Sequence, residues 1–204
     1  MKPSTTTAYG TPRISRDSLM SLETYARERK LFRSRVLAHK KPRTVHLGEH
    51  VTLLFEDELT IRYQIQEMLR IEKTFEEEGI QDELDAYNPM VPDGANWKAT
   101  MLIEYEDIDE RRGALARLKR IEERVWVAAE GHSRVFAIAD EDLDRENEEK
   151  TSSVHFLRFE LTPEMISALK QGATLGMGAD HPAYQFTLAQ VPDATRQALV
   201  TDLA

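Results

Sequence analysis

The sequence predicts an α+β protein with a mostly antiparallel sheet, packed helices and a long N-terminal helix. Three observations carry that expectation. Apolar residues recur at helical spacing between 15 and 40 and again between 57 and 76. Short alternating runs between 44 and 56, 98 and 105, and 124 and 139 are separated by Gly-containing turns, as in hairpins. Hydrophobic residues make up 41% of the 204 residues and charged residues 31%, the balance of a chain that buries a core.

Taken in order, residues 1–14 read as a flexible lead. Ser15 or Ser18 is placed to cap a helix running to Lys40, with Leu19, Leu22, Tyr25, Phe32 and Val36 near one face and Pro42 beyond its end. Arg29 falls on that apolar stripe, so it is expected to be partly buried and paired. Thr44 to Phe55 alternates around Gly48 and predicts a hairpin or a bulged strand. A helix is expected from Asp57 to about Glu76, broken by Gly79, with a short second helix ending at Asn88. Lys98 to Tyr105 predicts a strand, Asp107 or Asp109 a helix cap, and 124–139 a hairpin through Glu130-Gly131-His132-Ser133. The acidic run 140–150 reads as a charged connector between a main domain, 15–139, and a C-terminal β-α-β-β-α unit, 151–204, packed on it. In that unit Thr162 followed by Pro163 is an N-cap and N1 pair.

Composition excludes several chemistries. There is no cysteine, hence no disulfide, thiolate nucleophile or Cys-held metal cluster in this chain. No stretch approaches the ~18–20 apolar residues of a membrane span, and the first ten residues lack a secretory signal's apolar run, so a cytoplasmic location is expected. Gly-rich nucleotide cradles, His-Glu-x-x-His and Gly-x-Ser-x-Gly are all missing, as are the Glu-x-x-His pairs of di-iron bundles. Gly176-Met177-Gly178 predicts close backbone packing in a strand rather than a phosphate loop. Residues 1–50 hold 11 Lys and Arg against 4 Asp and Glu, while the remainder holds 16 against 32. An acidic body repels a phosphate backbone, which argues against nucleic acid and for acidic protein surface, including a second copy, as what the basic segment meets.

Polar residues left for function fall into two groups. His50, Glu56, Glu67 and Glu72 would form an N/O metal site for iron, manganese or zinc if a strand 50–56 set His50 and Glu56 on one face opposite the following helix. Arg70, with Asp180, His181 and Tyr184 of Asp180-His181-Pro182-Ala183-Tyr184, is the candidate ligand-binding set: a guanidinium to grip an anion and a carboxylate beside an imidazole. The structural alternatives are ion pairs from Arg70 to nearby glutamates, a turn set by Asp180 and Pro182, and a packed His155. No catalytic residue is assigned.

Val51-Thr52-Leu53-Leu54-Phe55-Glu56, Gln64-Ile65-Gln66-Glu67-Met68-Leu69-Arg70 and Glu83-Leu84-Asp85-Ala86-Tyr87-Asn88 resemble a bacterial family of uncharacterised proteins. Ser153 to Phe159 and Asp180 to Tyr184 extend the likeness over residues 15–203. Members are often encoded near rubrerythrin-like and iron–sulfur oxidoreductase-like proteins, so the resemblance implies a redox or oxidative-stress setting. The first functional expectation is an accessory partner of a cytoplasmic redox enzyme, with a homodimer as the favoured assembly. The alternatives are a metal-dependent enzyme with the His/Glu site and an anionic small-molecule binder using Arg70.

Overall fold

The structure is a computed structural model that describes residues 14–139 and 150–204. The expected flexible lead, apart from Ile14, and the charged connector, apart from Lys150, lie outside the described residues. Two antiparallel sheets and six α-helices make up the described part.

Residues 14–20 run as a strap containing a short 3-10 turn, Arg16–Ser18, before helix α1 (Leu22–Lys40). The helix starts later than either predicted cap. Ser15 makes no side-chain capping bond, whereas the Ser21 hydroxyl accepts from the Thr24 amide. Pro42 follows in a 3-10 turn, Lys41–Arg43, and the chain enters β1 (Thr44–Leu47) and β2 (Val51–Glu56). Gly48 turns this hairpin at φ +79°, a conformation that costs glycine little.

Asp57 then closes a capping box with Thr60 on α2 (Glu58–Glu72). Here the sequence misleads. Lys73, at φ +55°, ends α2 and the Thr74 amide bonds back to the Leu69 carbonyl. Gly79, expected as the breaker, lies inside α3 (Glu77–Tyr87). The local bonds of the left-handed residue decided the boundary.

The chain continues through β3 (Asn96–Ile103), α4 (Ile108–Arg117), β4 (Val125–Ala129), β5 (Val135–Phe136) and β6 (Ile138–Ala139). Then come β7 (Val154–Glu160), α5 (Pro163–Lys170), β8 (Leu175–His181), β9 (Tyr184–Leu188) and α6 (Asp193–Val200). One sheet runs β1-β2-β3-β7-β6 and the other β5-β4-β8-β9. The predicted strand 134–139 is divided: β5 pairs β4, whereas β6 crosses to pair β7. Buried Ala137 marks the switch, its amide bonded to the Val125 carbonyl.

Alternation sorts the faces. Val51, Leu53 and Phe55 of β2, Trp97, Ala99, Met101 and Ile103 of β3, and Leu157 and Phe159 of β7 point into one apolar cluster. Val125, Val127 and Ala129 of β4 and Leu175, Met177 and Ala179 of β8 enter the same cluster from the other sheet, with Leu115, Leu169 and Leu199 from α4, α5 and α6. Residues on both sides of the charged run therefore build one core. The Trp97 Nε1–H donates to the Leu199 carbonyl at 2.9 Å, so the indole is satisfied where it is buried. A Cβ at Gly178 would fall 2.5 Å from the Trp126 ring and 2.4 Å from the Phe186 carbonyl oxygen, which is the close packing expected of that glycine.

The helices α1, α2 and α3 form a second layer. Ile61, Ile65 and Leu69 of α2 meet Ile80 and Leu84 of α3, with Ile14 and Leu19 of the strap. Tyr25, Phe32 and Val36 fix α1 against the other side of α2. Amide side chains hold the strap: Asn88 accepts from the Ile14 amide and donates to its carbonyl, and Gln66 does the same at Met20.

Candidate functional site

The two predicted residue groups are redistributed into three polar clusters. Glu67 is the hub of the first. Its carboxylate accepts from the Tyr25 hydroxyl at 2.6 Å, from Arg29 through two nitrogens at 2.7 and 2.8 Å, and from Arg70 at 3.2 Å. The paired Arg29 contact comes first among the causes that hold the Glu67 carboxyl at about 2, with Tyr25 and Arg70 adding to it against burial. Burial, then Glu67, raises the Tyr25 phenol well above its usual range. Arg29 is thus partly buried and paired, as its place on the stripe implied. Arg70, the expected anion grip, spends one nitrogen on Glu67, and its Nε is buried without a partner.

The second cluster sits at the β1–β2 turn and brings together one residue from each predicted group. The Tyr184 hydroxyl donates to the Leu47 carbonyl at 2.5 Å and accepts from the His50 amide at 3.2 Å. It fills the space over Gly48, where a Cβ would lie 2.6 Å from the phenol oxygen. The His50 ring stacks on Tyr105, centroids 3.8 Å apart and planes 15° from parallel. His50 Nδ1 lies 2.9 Å from the Glu104 carbonyl oxygen. A carbonyl only accepts, so Nδ1 carries a proton there, while Nε2 lies 3.9 Å from the exposed Glu49 carboxylate. Beside it, His46 Nδ1 donates to the Thr52 hydroxyl, which donates to Glu104 at 2.7 Å. Burial first, then Tyr184, pushes the Tyr105 phenol above its usual value.

No sequence signal joined the residues of the third cluster. Buried Arg43 forks onto Asp202 at 2.7 and 2.8 Å, reaches Asp57 at 3.1 Å and donates to the Ala198 carbonyl. His39 Nε2 lies 2.5 Å from Asp57. Burial would raise Asp57, but Arg43, the Thr60 amide and His39 outweigh it and hold that carboxyl below its usual value. At Asp202 burial wins over Arg43 and the carboxyl is raised. This network ties the end of α1, the start of α2 and the end of α6 into one clamp. Asp57 was legible only as the start of a helix.

The remaining candidates are placed apart. His181 is buried in a closed pair of bonds: the Ala183 amide donates to Nδ1 at 3.1 Å, so Nε2 carries the proton and donates to the Lys119 carbonyl at 2.9 Å. Asp180 is half exposed, 3.6 Å from Arg134, whose guanidinium lies 4.1 Å over the Trp126 ring. Glu56 accepts from the Thr100 hydroxyl at 2.8 Å on the outer face of its sheet. Glu72 is exposed beside Glu83, which burial first and then Glu72 hold above the usual carboxylate range. His50 precedes β2 and Glu56 ends it, six residues on, so the strand rise sets them about 20 Å apart. One ion cannot join the four predicted metal ligands. Among the described residues no three His, Asp or Glu side chains gather to hold a metal ion, and no helix is long and apolar enough to cross a membrane.

The family described as protein of unknown function, DUF3501, matches residues 13–203. The chain belongs to that family. The chain is also similar to a bacterial protein: a crystal structure of a protein of unknown function from Burkholderia pseudomallei K96243 is 56% identical, with a TM-score of 0.89. The match covers 94% of this DUF3501 chain and 99% of that one. Among the curated proteins none matches.

Proposed function

We propose that this DUF3501 protein is a non-catalytic accessory protein of the cytoplasm, which works by binding a redox enzyme rather than by turning over a substrate. The observation that carries the reading is where the candidate residues spend their bonds. Glu67 is saturated by three donors, His181 uses both ring nitrogens, and Tyr184 uses its hydroxyl twice inside the fold. Groups so committed hold elements in place; a reacting group needs a lone pair or proton aimed at a substrate. The redox setting comes from the family's resemblance and not from any side chain here. Co-purification from the native host under mild anaerobic conditions tests it: a redox oxidoreductase is expected in near-integer ratio, and a chain recovered repeatedly without one would sink the proposal.

One observation favours a second reading, a metal-dependent enzyme. His50 is partly exposed and its Nδ1–H is fixed by a carbonyl, so in the neutral ring Nε2 presents the lone pair of a metal ligand or general base. Such a site would be completed by residues other than Glu56, Glu67 and Glu72. Stoichiometric iron, manganese or zinc that is lost in His50→Ala would support it. Metal content unchanged by that substitution would remove it.

A further inference from the structure

We infer that residues 14–20 are the built-in occupant of a peptide-binding groove between α2 and α3, and that a partner protein docks by placing a segment of the same pattern there. The groove reads main chain at both ends. Asn88 accepts from the Ile14 amide at 2.9 Å and donates to the Ile14 carbonyl at 3.0 Å. Gln66 accepts from the Met20 amide at 2.6 Å and donates to the Met20 carbonyl at 3.4 Å. A carboxamide that donates to and accepts from one residue's main chain does so whatever side chain that residue carries. Gln66 is 1% exposed, and its side-chain bonds go to the strap. A buried amide so placed needs an occupant in the groove to be satisfied.

Apolar sockets supply the rest. Ile14 and Leu19, five residues apart, are the strap's buried contribution to a cluster whose other members, among them Ile65, Leu69 and Leu84, belong to α2, α3 and Val91. The four residues between them are exposed or half-buried. Arg16 reaches Glu77 at 3.3 Å at the surface. Main-chain bonds for affinity and side-chain sockets for specificity are a recurring way for folded domains to take linear segments. The recognised pattern is therefore two aliphatic side chains five residues apart, flanking a polar turn, with an arginine two residues after the first.

The strap is separable from the rest of the fold. The main core draws no buried residue from before Val45, so vacating the groove leaves both sheets packed. The strap's turn is held by its own atoms, since the Ser18 amide and hydroxyl both donate to the Ser15 carbonyl. The same shape is therefore open to a segment of another chain. Tethered beside the groove, the strap acts at an effective concentration of about 1 mM, so a partner segment enters only where it binds more strongly or where the strap is weakened. That competition makes the strap an autoinhibitory contact. The inference rests on the accessory reading and names the surface a partner uses. Purified protein and a synthetic peptide test it, so its failure is distinct from a failed co-purification.

The test is fluorescence anisotropy with a labelled peptide of residues 14–20, acetylated and amidated, against full-length proteins shown by circular dichroism to be folded. Wild type, its groove filled, is expected to bind the peptide weakly. Ile14→Asp/Leu19→Asp sets charges against apolar sockets and empties the groove, so the peptide should bind that protein about tenfold tighter or more. Adding Gln66→Ala/Asn88→Ala should remove the gain, and a peptide with Ile14→Asp and Leu19→Asp should bind none of the proteins. Leu19→Ala, a milder change, should give the same order of affinities and serves if the double variant unfolds. Peptide binding to a folded strap variant that is no tighter than to wild type, or that survives loss of both carboxamides, overturns the inference.

Discussion

Replacing Glu67 with glutamine isolates the charge at the α1–α2 junction while keeping the side chain's length and its bond to Tyr25. A carboxyl held at about 2 against an ordinary 4.5 corresponds to ~3 kcal/mol at neutral pH. Arg29 and Arg70 are more than one-third exposed, so screening by water reduces the expected loss to about 2 kcal/mol. The sign follows from the depressed folded-state value. The stabilisation is complete above about 4.5, falls away as the pH drops toward about 2, and is absent below that. Urea denaturation of wild type and Glu67→Gln at pH 7, 5 and 3 measures the gap. It should be about 2 kcal/mol at pH 7 and 5 and smaller at pH 3. A gap that is absent at pH 7, or that is the same at pH 3, would refute the assignment of Glu67 as a charged clasp.

Other substitutions test the remaining clusters. Arg43→Ala leaves Asp202 and Asp57 buried without their cation and should cost about 3–5 kcal/mol in denaturant unfolding, far more than exposed Arg33→Ala, expected within ~0.5 kcal/mol. Gly48→Ala combines a left-handed backbone with a Cβ 2.6 Å from the Tyr184 hydroxyl, so a loss of about 2 kcal/mol is expected, and Tyr184→Phe in the same chain should recover part of it. Asn88→Ala removes both bonds to Ile14, and limited proteolysis should then cut near residues 14–20 several-fold faster while the sheets resist as before.

The sequence displayed what local pattern controls. Lys98 to Tyr105 alternates because β3 buries Trp97, Ala99, Met101 and Ile103 on one side, and Thr162-Pro163 starts α5 with the Thr162 hydroxyl accepting from Met165. Arg29 was legible as partly buried and paired because it interrupts an apolar stripe. What escaped was set by partners remote in sequence. Arg43 and Asp202 are separated by 159 residues, and neither lies in a pattern that marks it. The division of 134–139 between two sheets depends on β4 and β7 approaching from different sides of the chain, which periodicity does not encode. Lys73 ended α2 in a left-handed conformation that lysine seldom adopts, so the more obvious Gly79 drew attention from it. The metal group failed to converge because His50 lies in the turn before β2 and Glu56 at that strand's far end, although an even spacing does share a face.

The most direct test of the accessory role is the composition of the protein purified anaerobically, without a tag, from its native host. A second, redox-active protein co-eluting in near-integer ratio, with any transition metal following that protein through further separation, is the predicted result. This chain eluting alone with one equivalent of metal, lost on His50→Ala, would contradict it.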